Sequence, residues 1–296
     1  MGRVVGPTFL FILLPWSFFV GSALMGACGA TAHAMLPIYK PDIAHIQPTD
    51  VDADKQTAAA VDEAARMNKI LYGVLHSVLG VILVLKGGYK LFQRFMGACI
   101  VMMFITVIVT AALVAPDWGA VAKGIVWPSI PDITRDKLQW TIALIGGVGG
   151  TLTVLCYGYW IREEGREDPS FLRTCRIDLG VGYIATAIFG MAMVIIGSQI
   201  TAPGGGSTLV VNLANQLGGK IGPAGKWIFL IGAWGAVFSS LLGVWQAVPL
   251  IFADFWQLQK ARKQGGDLTT INVKTSADSL PYRTYLAALA IVPMFG

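Results

Sequence analysis

The sequence predicts an all-α polytopic membrane protein, and three observations point to it: its composition, its long apolar runs and the placement of its charges. Of the 296 residues, 55% are hydrophobic and 13% are charged, and the mean hydropathy is +0.63. Soluble domains carry about 25% charged residues, and no single water-soluble core could bury this much apolar surface. The composition therefore excludes a soluble globular protein, a disordered chain and a secreted disulfide scaffold.

The apolar runs define the elements of this bundle, since a helix needs about 20 mostly apolar residues to cross a bilayer. The predicted spans are 8–30, 69–85, 95–115, 138–161, 179–200, 227–253 and a clipped one from 282. The first run exceeds the roughly 7–15 apolar residues of a signal-peptide core, which predicts a retained helix. We expect residues 1–296 to form a single transmembrane domain in which 31–68 is an extracytoplasmic loop.

Lysine and arginine are concentrated in every second connection between the spans, whereas the 31–68 connection carries a cluster of acidic residues. The positive-inside rule places the basic connections in the cytoplasm. The formal net charge of +5 is thus explained by membrane orientation, and we expect the lipid bilayer, not nucleic acid, as a partner. The predicted location is the cell membrane, as a multi-pass protein of the prokaryotic inner-membrane type.

Four glycines fall within the stretch 146–150 of the fourth predicted span. Each glycine costs a helix about 1 kcal/mol relative to alanine, so the cluster predicts a broken helix of the kind that transporters place at the bilayer midplane. The alternative is a GxxxG packing face formed by Gly146 and Gly150. The candidate substrate or ion-pathway residues here are Gly149, Gly150, Thr153, Cys156 and Tyr157, and the candidate metal ligands are Thr153 and Cys156.

Three further polar residues lie inside predicted spans and complete the candidate pathway: His76, Ser239 and Ser240. An ionisable group at the depth of His76 is a functional candidate by default. The alternative for His76 is a neutral ring bonded to a neighbouring backbone carbonyl. The alternative for the serines is a bond back to their own helix.

The remaining polar positions favour structural interpretations. Asp178 and Asp254 are expected at hydrated span boundaries, and Asp168-Pro169 predicts a helix N-cap followed by proline at the first helical position. The four cysteines lack metal-finger spacing, so packing is preferred for all except Cys156. No HExxH, GxSxG or comparable catalytic motif occurs, and we predict that the protein is not an enzyme.

Three stretches of the sequence resemble the Nramp family of divalent metal transporters. The stretch GGYKLFQRFMGACIVMMFITVIVTAALVAPDWGAVAKGIVWPSIPD is similar to the family's fourth-to-fifth-helix region. The stretches GGVGGTLTVLCYGYWIREEGR and LRTCRIDLGVGYIATAIFGMAMVII resemble its sixth and seventh helices, and GAWGAVFSSLLGVWQAVPLIFADF is similar to its eighth, including the Ser-Ser pair. The resemblance implies a LeuT-like inverted-repeat fold and secondary transport of divalent metal cations by symport with protons. It also implies no cofactor, because the metal ion is the transported substrate.

The chain departs from the family pattern at two positions that bear on the ion. The family's Met-Pro-His motif falls approximately on Thr153, Val154 and Leu155, and the glutamine before the Ser-Ser pair is replaced by Phe238. Hydroxyl and carbonyl oxygens suit Mg²⁺ or Ca²⁺ better than soft metals. Cys156 could restore a soft ligand.

The resemblance also implies an incomplete transporter. Family members begin with two further helices, and on that count the spans correspond to the third to eighth helices and a clipped ninth. We therefore expect an N- and C-terminally truncated chain with an incomplete LeuT-like bundle. Two other functions stay open at this point: an organic-solute (amino-acid-like) cation symporter of the same fold, and a non-transporting membrane scaffold.

Overall fold

The computed structural model describes residues 5–44, 53–86, 88–127, 134–135, 137–139, 141–142, 151–199, 206–264 and 279–295. Within these ranges the secondary structure is helical, with no strand. Five helices of the described part are long and apolar enough to cross a membrane, which confirms the all-α polytopic membrane bundle. The helices are α1 (Val5–Met35), α2 (Ala53–Lys86), α3 (Gly88–Leu113), α4 (Trp118–Val126), α5 (Thr151–Glu163), α6 (Leu172–Ser198), α7 (Gly206–Lys263) and α8 (Leu280–Ile291), with 3₁₀ turns at Pro169–Phe171 and Val292–Phe295.

Helices α1 and α2 both extend into the segment 31–68 that the sequence assigned to a loop. Helix α1 continues to Met35 and α2 begins at Ala53, so only the residues between them are left as a connection. Apolar residues mark the part of a helix that lies in hydrocarbon. The helix itself continues beyond that part wherever the residues favour helical backbone conformation. The first turns of α2 are rich in alanine and in charged residues with good helix propensity. The side of the membrane on which this segment lies stays a prediction.

Two predicted spans correspond to shorter described helices. Helix α5 has 13 residues and covers the end of the predicted span 138–161, while α8 has 12 residues and covers the predicted span from 282. Residues 143–150 lie outside the described part of the chain. The glycine cluster, including Gly149 and Gly150, therefore lies outside it as well.

The chain divides into two compact units, Met1–Met103 with Ala202–Gly296, and Phe104–Thr201. In the first unit, α7 packs against α1, α2 and α8, and α1 packs against α2. The largest fully buried side chains belong mostly to α7 and α8 and include Trp245, Tyr282 and Phe238. The core of this unit therefore lies around α7.

Helices α1 and α2 approach each other closely at two glycines. A Cβ atom added at Gly29 would overlap the carbonyl oxygen of Lys69, and one added at Gly73 would lie 3.2 Å from the carbonyl oxygen of Met25. Small residues allow helix backbones to come this close, and the resulting van der Waals contact holds helices together in lipid. The crossing therefore depends on the absence of a side chain at Gly29.

Helix α7 contains a break at Gly222, whose φ and ψ of 81° and 177° are not helical. A positive φ of this size favours glycine, because an L side chain would clash there. Pro223 follows, and proline has no backbone N–H to continue the hydrogen-bond ladder. The predicted span 227–253 therefore starts just after this break.

The entry to α6 in the second unit confirms the predicted cap. The carboxylate of Asp168 accepts a 2.8 Å hydrogen bond from the backbone N–H of Ser170, and Pro169 is the first residue of the 3₁₀ turn that leads into α6. The pKa of Asp168 is lowered because Ser170 hydrogen-bonds to its carboxylate through both side chain and backbone. The charged form of Asp168 is thus the one that caps the turn.

We expect the α1–α2 crossing to respond very differently to two alanine substitutions in α1. Gly29→Ala should lower the free energy of unfolding by about 2 kcal/mol or more, because the new methyl group overlaps a backbone carbonyl that cannot move independently. Gly26→Ala is the matched control, since nothing lies within 4 Å of a Cβ at Gly26. It should be neutral or slightly stabilising. Unfolding in detergent mixtures would measure both, and equal effects would contradict the proposed close crossing.

Candidate functional site

His76 lies at the centre of an aromatic cluster in the first unit, which we call the His76 cluster: His76, Tyr72, Phe95, Trp234 and Phe238. Phe238 presents its ring edge-on to His76 at a centroid distance of 5.1 Å and stacks on Trp234 at 5.5 Å. Phe95 contacts Phe238 from α3 at 5.6 Å. The cluster therefore joins α2, α3 and α7 around one imidazole.

Both ring nitrogens of His76 have hydrogen-bond partners. The indole N–H of Trp234 donates to Nε2 at 2.8 Å, and Nδ1 lies 2.6 Å from the carbonyl oxygen of Tyr72. Because Nε2 accepts and a carbonyl can only accept, the proton must lie on Nδ1 and the ring must be neutral. In this arrangement neither nitrogen has a lone pair free for a metal ion.

The face of α2 that carries His76 also forms hydrogen bonds with the residues that follow α1. The buried amide of Asn68 accepts from the backbone N–H groups of Ile38 and Tyr39 and donates to the carbonyl oxygens of Tyr39 and Ala64. The hydroxyl of Tyr72 donates to the carbonyl oxygen of Leu36 at 2.6 Å. Asn68, Tyr72 and His76 are four residues apart, so they lie along one side of the helix. This side of α2 therefore carries a row of three hydrogen-bonding side chains, and the last of them, His76, bonds to Trp234.

The two candidate serines follow the His76 cluster along α7 but bond to their own helix. Ser239 and Ser240 both donate to the carbonyl oxygen of Ala236, at 3.0 Å and 2.9 Å. This is the local bonding that serines often adopt inside helices. In this structure their hydroxyl protons are thus used within α7. Their role in an ion pathway stays a prediction.

Helices α5 and α6 of the second unit are joined through Tyr157. Its hydroxyl donates to the carboxylate of Asp178 at 3.0 Å and to the carbonyl oxygen of Cys175 at 3.3 Å. A hydrogen bond to a carboxylate is roughly twice as strong as one between neutral groups. Cys156, the residue before Tyr157, is buried. The candidate thiol therefore belongs to the residue that precedes Tyr157, and the hydroxyl of Tyr157 is hydrogen-bonded to the neighbouring helix α6.

The other residues of the candidate metal site are described only in part. Thr153 lies in the first turn of α5, but its side chain lies outside the description, as do Gly149 and Gly150 altogether. Among the described residues, no group of three or more histidine, cysteine, aspartate or glutamate side chains could hold a metal ion.

Two expectations about single residues have clear outcomes. Cys28, Cys99 and Cys175 are buried free thiols, as expected for packing residues. Cys156 is a buried free thiol as well, and its role as a metal ligand stays a prediction. The expectation that Asp254 lies at a hydrated boundary is wrong, because this residue is only 8% exposed. The apolar run ends at Ala253, but α7 continues beyond it and keeps Asp254 on its packed side.

Residues 55–296 match the family described as natural resistance-associated macrophage protein-like, or Nramp. The chain belongs to the Nramp family. Comparisons with curated proteins and with solved structures gave no match. The family match begins in the first turns of α2 and includes every residue of the candidate site.

Membership of the Nramp family defines the protein at a general level. The Nramp family consists of transporters of metal ions and not of enzymes. In such a protein the metal is the substrate and not a resident cofactor. Together with the apolar helices, the family identifies a multi-pass membrane protein.

The bond of His76 to the backbone carbonyl of Tyr72 is the one that its structural interpretation expected. The indole partner of His76 and the partners of Tyr157 are what the sequence did not reveal. Trp234 lies 158 residues from His76, and no local spacing connects them. Asp178 was interpreted as a boundary residue, and its bond to Tyr157 depends on how α5 packs against α6. Asn68 alone carried a usable signal, since an amide at the edge of a long apolar run usually has a specific hydrogen-bond partner.

We expect the bond between Trp234 and His76 to be measurable by a double-mutant cycle with Trp234→Phe and His76→Phe. Each single change removes the same hydrogen bond, so the coupling energy should be about 1 kcal/mol. A cycle between His76→Phe and Trp245→Phe is the control. The indole nitrogen of Trp245 is buried with no hydrogen-bond partner among the described residues, and we expect no resolvable coupling there. Equal coupling in both cycles would contradict the assigned bond.

Proposed function

We propose that this Nramp-family protein is a secondary transporter that carries divalent metal cations across the cell membrane together with protons. The observation that carries the proposal is the family match over residues 55–296, because the family transports metal ions. The long apolar helices supply the multi-pass body that such a transporter needs. We assign it to the cell membrane, of the prokaryotic inner-membrane type, with the divalent ion as substrate and protons as the coupling ion.

The proposed metal site is centred on residues 149–156, with Thr153 and Cys156 as side-chain ligands. Backbone carbonyls beside Gly149 and Gly150 would complete the shell, since irregular backbone at membrane depth is tolerated where it faces protein or a water-filled cavity. One observation supports this choice. The side chain of Cys156 is buried, and the next residue, Tyr157, is hydrogen-bonded to α6.

The proposed proton acceptor is Nε2 of His76. It holds the only lone pair left on the neutral ring, and that lone pair accepts from Trp234. When Nε2 takes a proton it becomes a donor, so two N–H groups then face each other and the bond between α2 and α7 is lost. Protonation would therefore be coupled to a loosening of these two helices. Within the described part of the chain, the hydrogen-bond partners of His76 are a backbone carbonyl and an indole N–H, and neither is a carboxylate that would stabilise the cation.

The proton role predicts the effect of His76→Gln. Glutamine can donate to the carbonyl of Tyr72 and accept from Trp234, but it cannot take up a proton near neutral pH. We expect metal uptake to lose most of its stimulation by an inward proton gradient, by about tenfold, while insertion stays normal. The matched control is His33→Gln, a histidine of α1 outside the cluster and outside the family match. Gradient-driven uptake in vesicles measures both, and undiminished stimulation of His76→Gln would overturn this role.

The metal site predicts that the protein takes up Mn²⁺. Mg²⁺ should inhibit this uptake, and a panel of amino acids should not inhibit it. In Cys156→Ser a hard hydroxyl replaces the soft thiol, so Mg²⁺ should compete more strongly with Mn²⁺, by roughly fivefold or more. Cys99→Ser, a buried cysteine in α3, is the control and should leave the competition unchanged. Uptake of an amino acid in place of metal would assign the protein to organic-solute symport. Insertion without uptake of either would assign it to a scaffold.

A further inference from the structure

The last two turns of α7 border a cavity that has no part in the candidate transport site. Its volume is about 360 Å³, and the residues that line it are Trp256, Gln259, Lys260 and Lys263. These positions are three, four and seven residues apart, so they share one face of the helix. The cavity thus combines one large aromatic ring with one amide and two ammonium groups.

The polar end of the cavity carries positive charge that the described residues do not neutralise. Neither Lys260 nor Lys263 has an ion pair or a side-chain hydrogen bond within the described part of the chain. The C-terminal end of a helix carries roughly half a negative elementary charge, which is less than the two lysines supply. Ammonium groups donate up to three hydrogen bonds and bind phosphate oxygens well. The polar end therefore favours an anion, and a phosphate group in particular.

The aromatic end of the cavity marks the edge of the hydrocarbon region. Trp256 is 54% exposed and its ring stacks on Phe252, with centroids 6.1 Å apart. The predicted apolar span ends at 253, and helix rise places Lys260 about 10 Å beyond it and Trp256 about 5 Å beyond it. Tryptophan is enriched at the level of lipid headgroups. The cavity therefore spans the distance from the acyl boundary to the phosphate level on the side predicted to be cytoplasmic.

We propose that this cavity binds the phosphodiester headgroup of an anionic phospholipid. Lys260 and Lys263 bind the phosphate oxygens, the amide of Gln259 donates a further hydrogen bond, and Trp256 packs against the glycerol and the first methylene groups. Anionic lipids give the cytoplasmic leaflet a negative surface potential, which agrees with the predicted orientation. The shared chemistry is a phosphate oxyanion, and an apolar wall beside the lysines distinguishes a lipid from free phosphate.

Native mass spectrometry of the detergent-purified protein tests the proposal with phosphatidylglycerol and phosphatidylcholine as probes. We expect retention of phosphatidylglycerol over phosphatidylcholine. Lys260→Gln and Lys263→Gln should each lose roughly fivefold in affinity, and the double variant should lose both contributions. The control is Arg262→Gln, which removes the same charge at the same helix end from a residue that does not line the cavity. Lys260→Arg with Lys263→Arg should retain binding because it keeps both charges.

Three results would overturn the proposal. Equal loss in Arg262→Gln and Lys263→Gln would show unspecific attraction to surface charge. Equal retention of both lipids would show that the lysines do not select a headgroup. The third result has two parts: millimolar inorganic phosphate displaces phosphatidylglycerol, and Trp256→Ala binds phosphatidylglycerol as well as the unchanged protein does. Together they would assign the cavity to a soluble phosphate group instead.

Discussion

Helices in a bilayer gain little from apolar contact with one another, because lipid tails are as apolar as leucine side chains. Close backbone approach and specific hydrogen bonds therefore hold them together. In the first unit, Gly29 allows the backbone of α1 to reach that of α2. The hydroxyl groups of Ser17 and Tyr285 bond at 2.8 Å between α1 and α8, and Ser77 donates to the carbonyl oxygen of Ala290 between α2 and α8. These few close contacts define how α1, α2 and α8 pack together beside α7.

The same constraint gives the His76 cluster its importance. A neutral imidazole with both nitrogens bonded is a stable structural link between α2 and α7, and its geometry alone is sufficient to explain its burial. The link is also one that a single proton would break, because the cation has no acceptor nitrogen. A group with these properties can couple proton binding to helix movement without touching the metal. The proposed site therefore separates proton uptake at His76 from metal binding near Cys156.

Several features could be predicted from the sequence because they depend on local chemistry. The cap formed by Asp168 follows from two adjacent residues. The serines at 239 and 240 bond within their own helix, as one of the two interpretations held. By contrast, the start of α2 at Ala53 was missed, since hydropathy reports on the membrane and not on helix length. The burial of Asp254 was missed for a related reason, because the packed side of α7 extends past the last apolar residue.

The amino-acid sequence by itself determined the membrane class, the all-α architecture, the Nramp relationship and the types of residue available to a metal or a proton. These depend on composition, on apolar run length and on motifs, all of which are properties of neighbouring residues. Only the tertiary structure decided which atoms those residues bond. Trp234 meets His76, and Tyr157 meets Asp178, through helix packing that brings distant segments together. The physical reason is that hydrogen bonds between helices depend on crossing position and rotation, which no local pattern encodes.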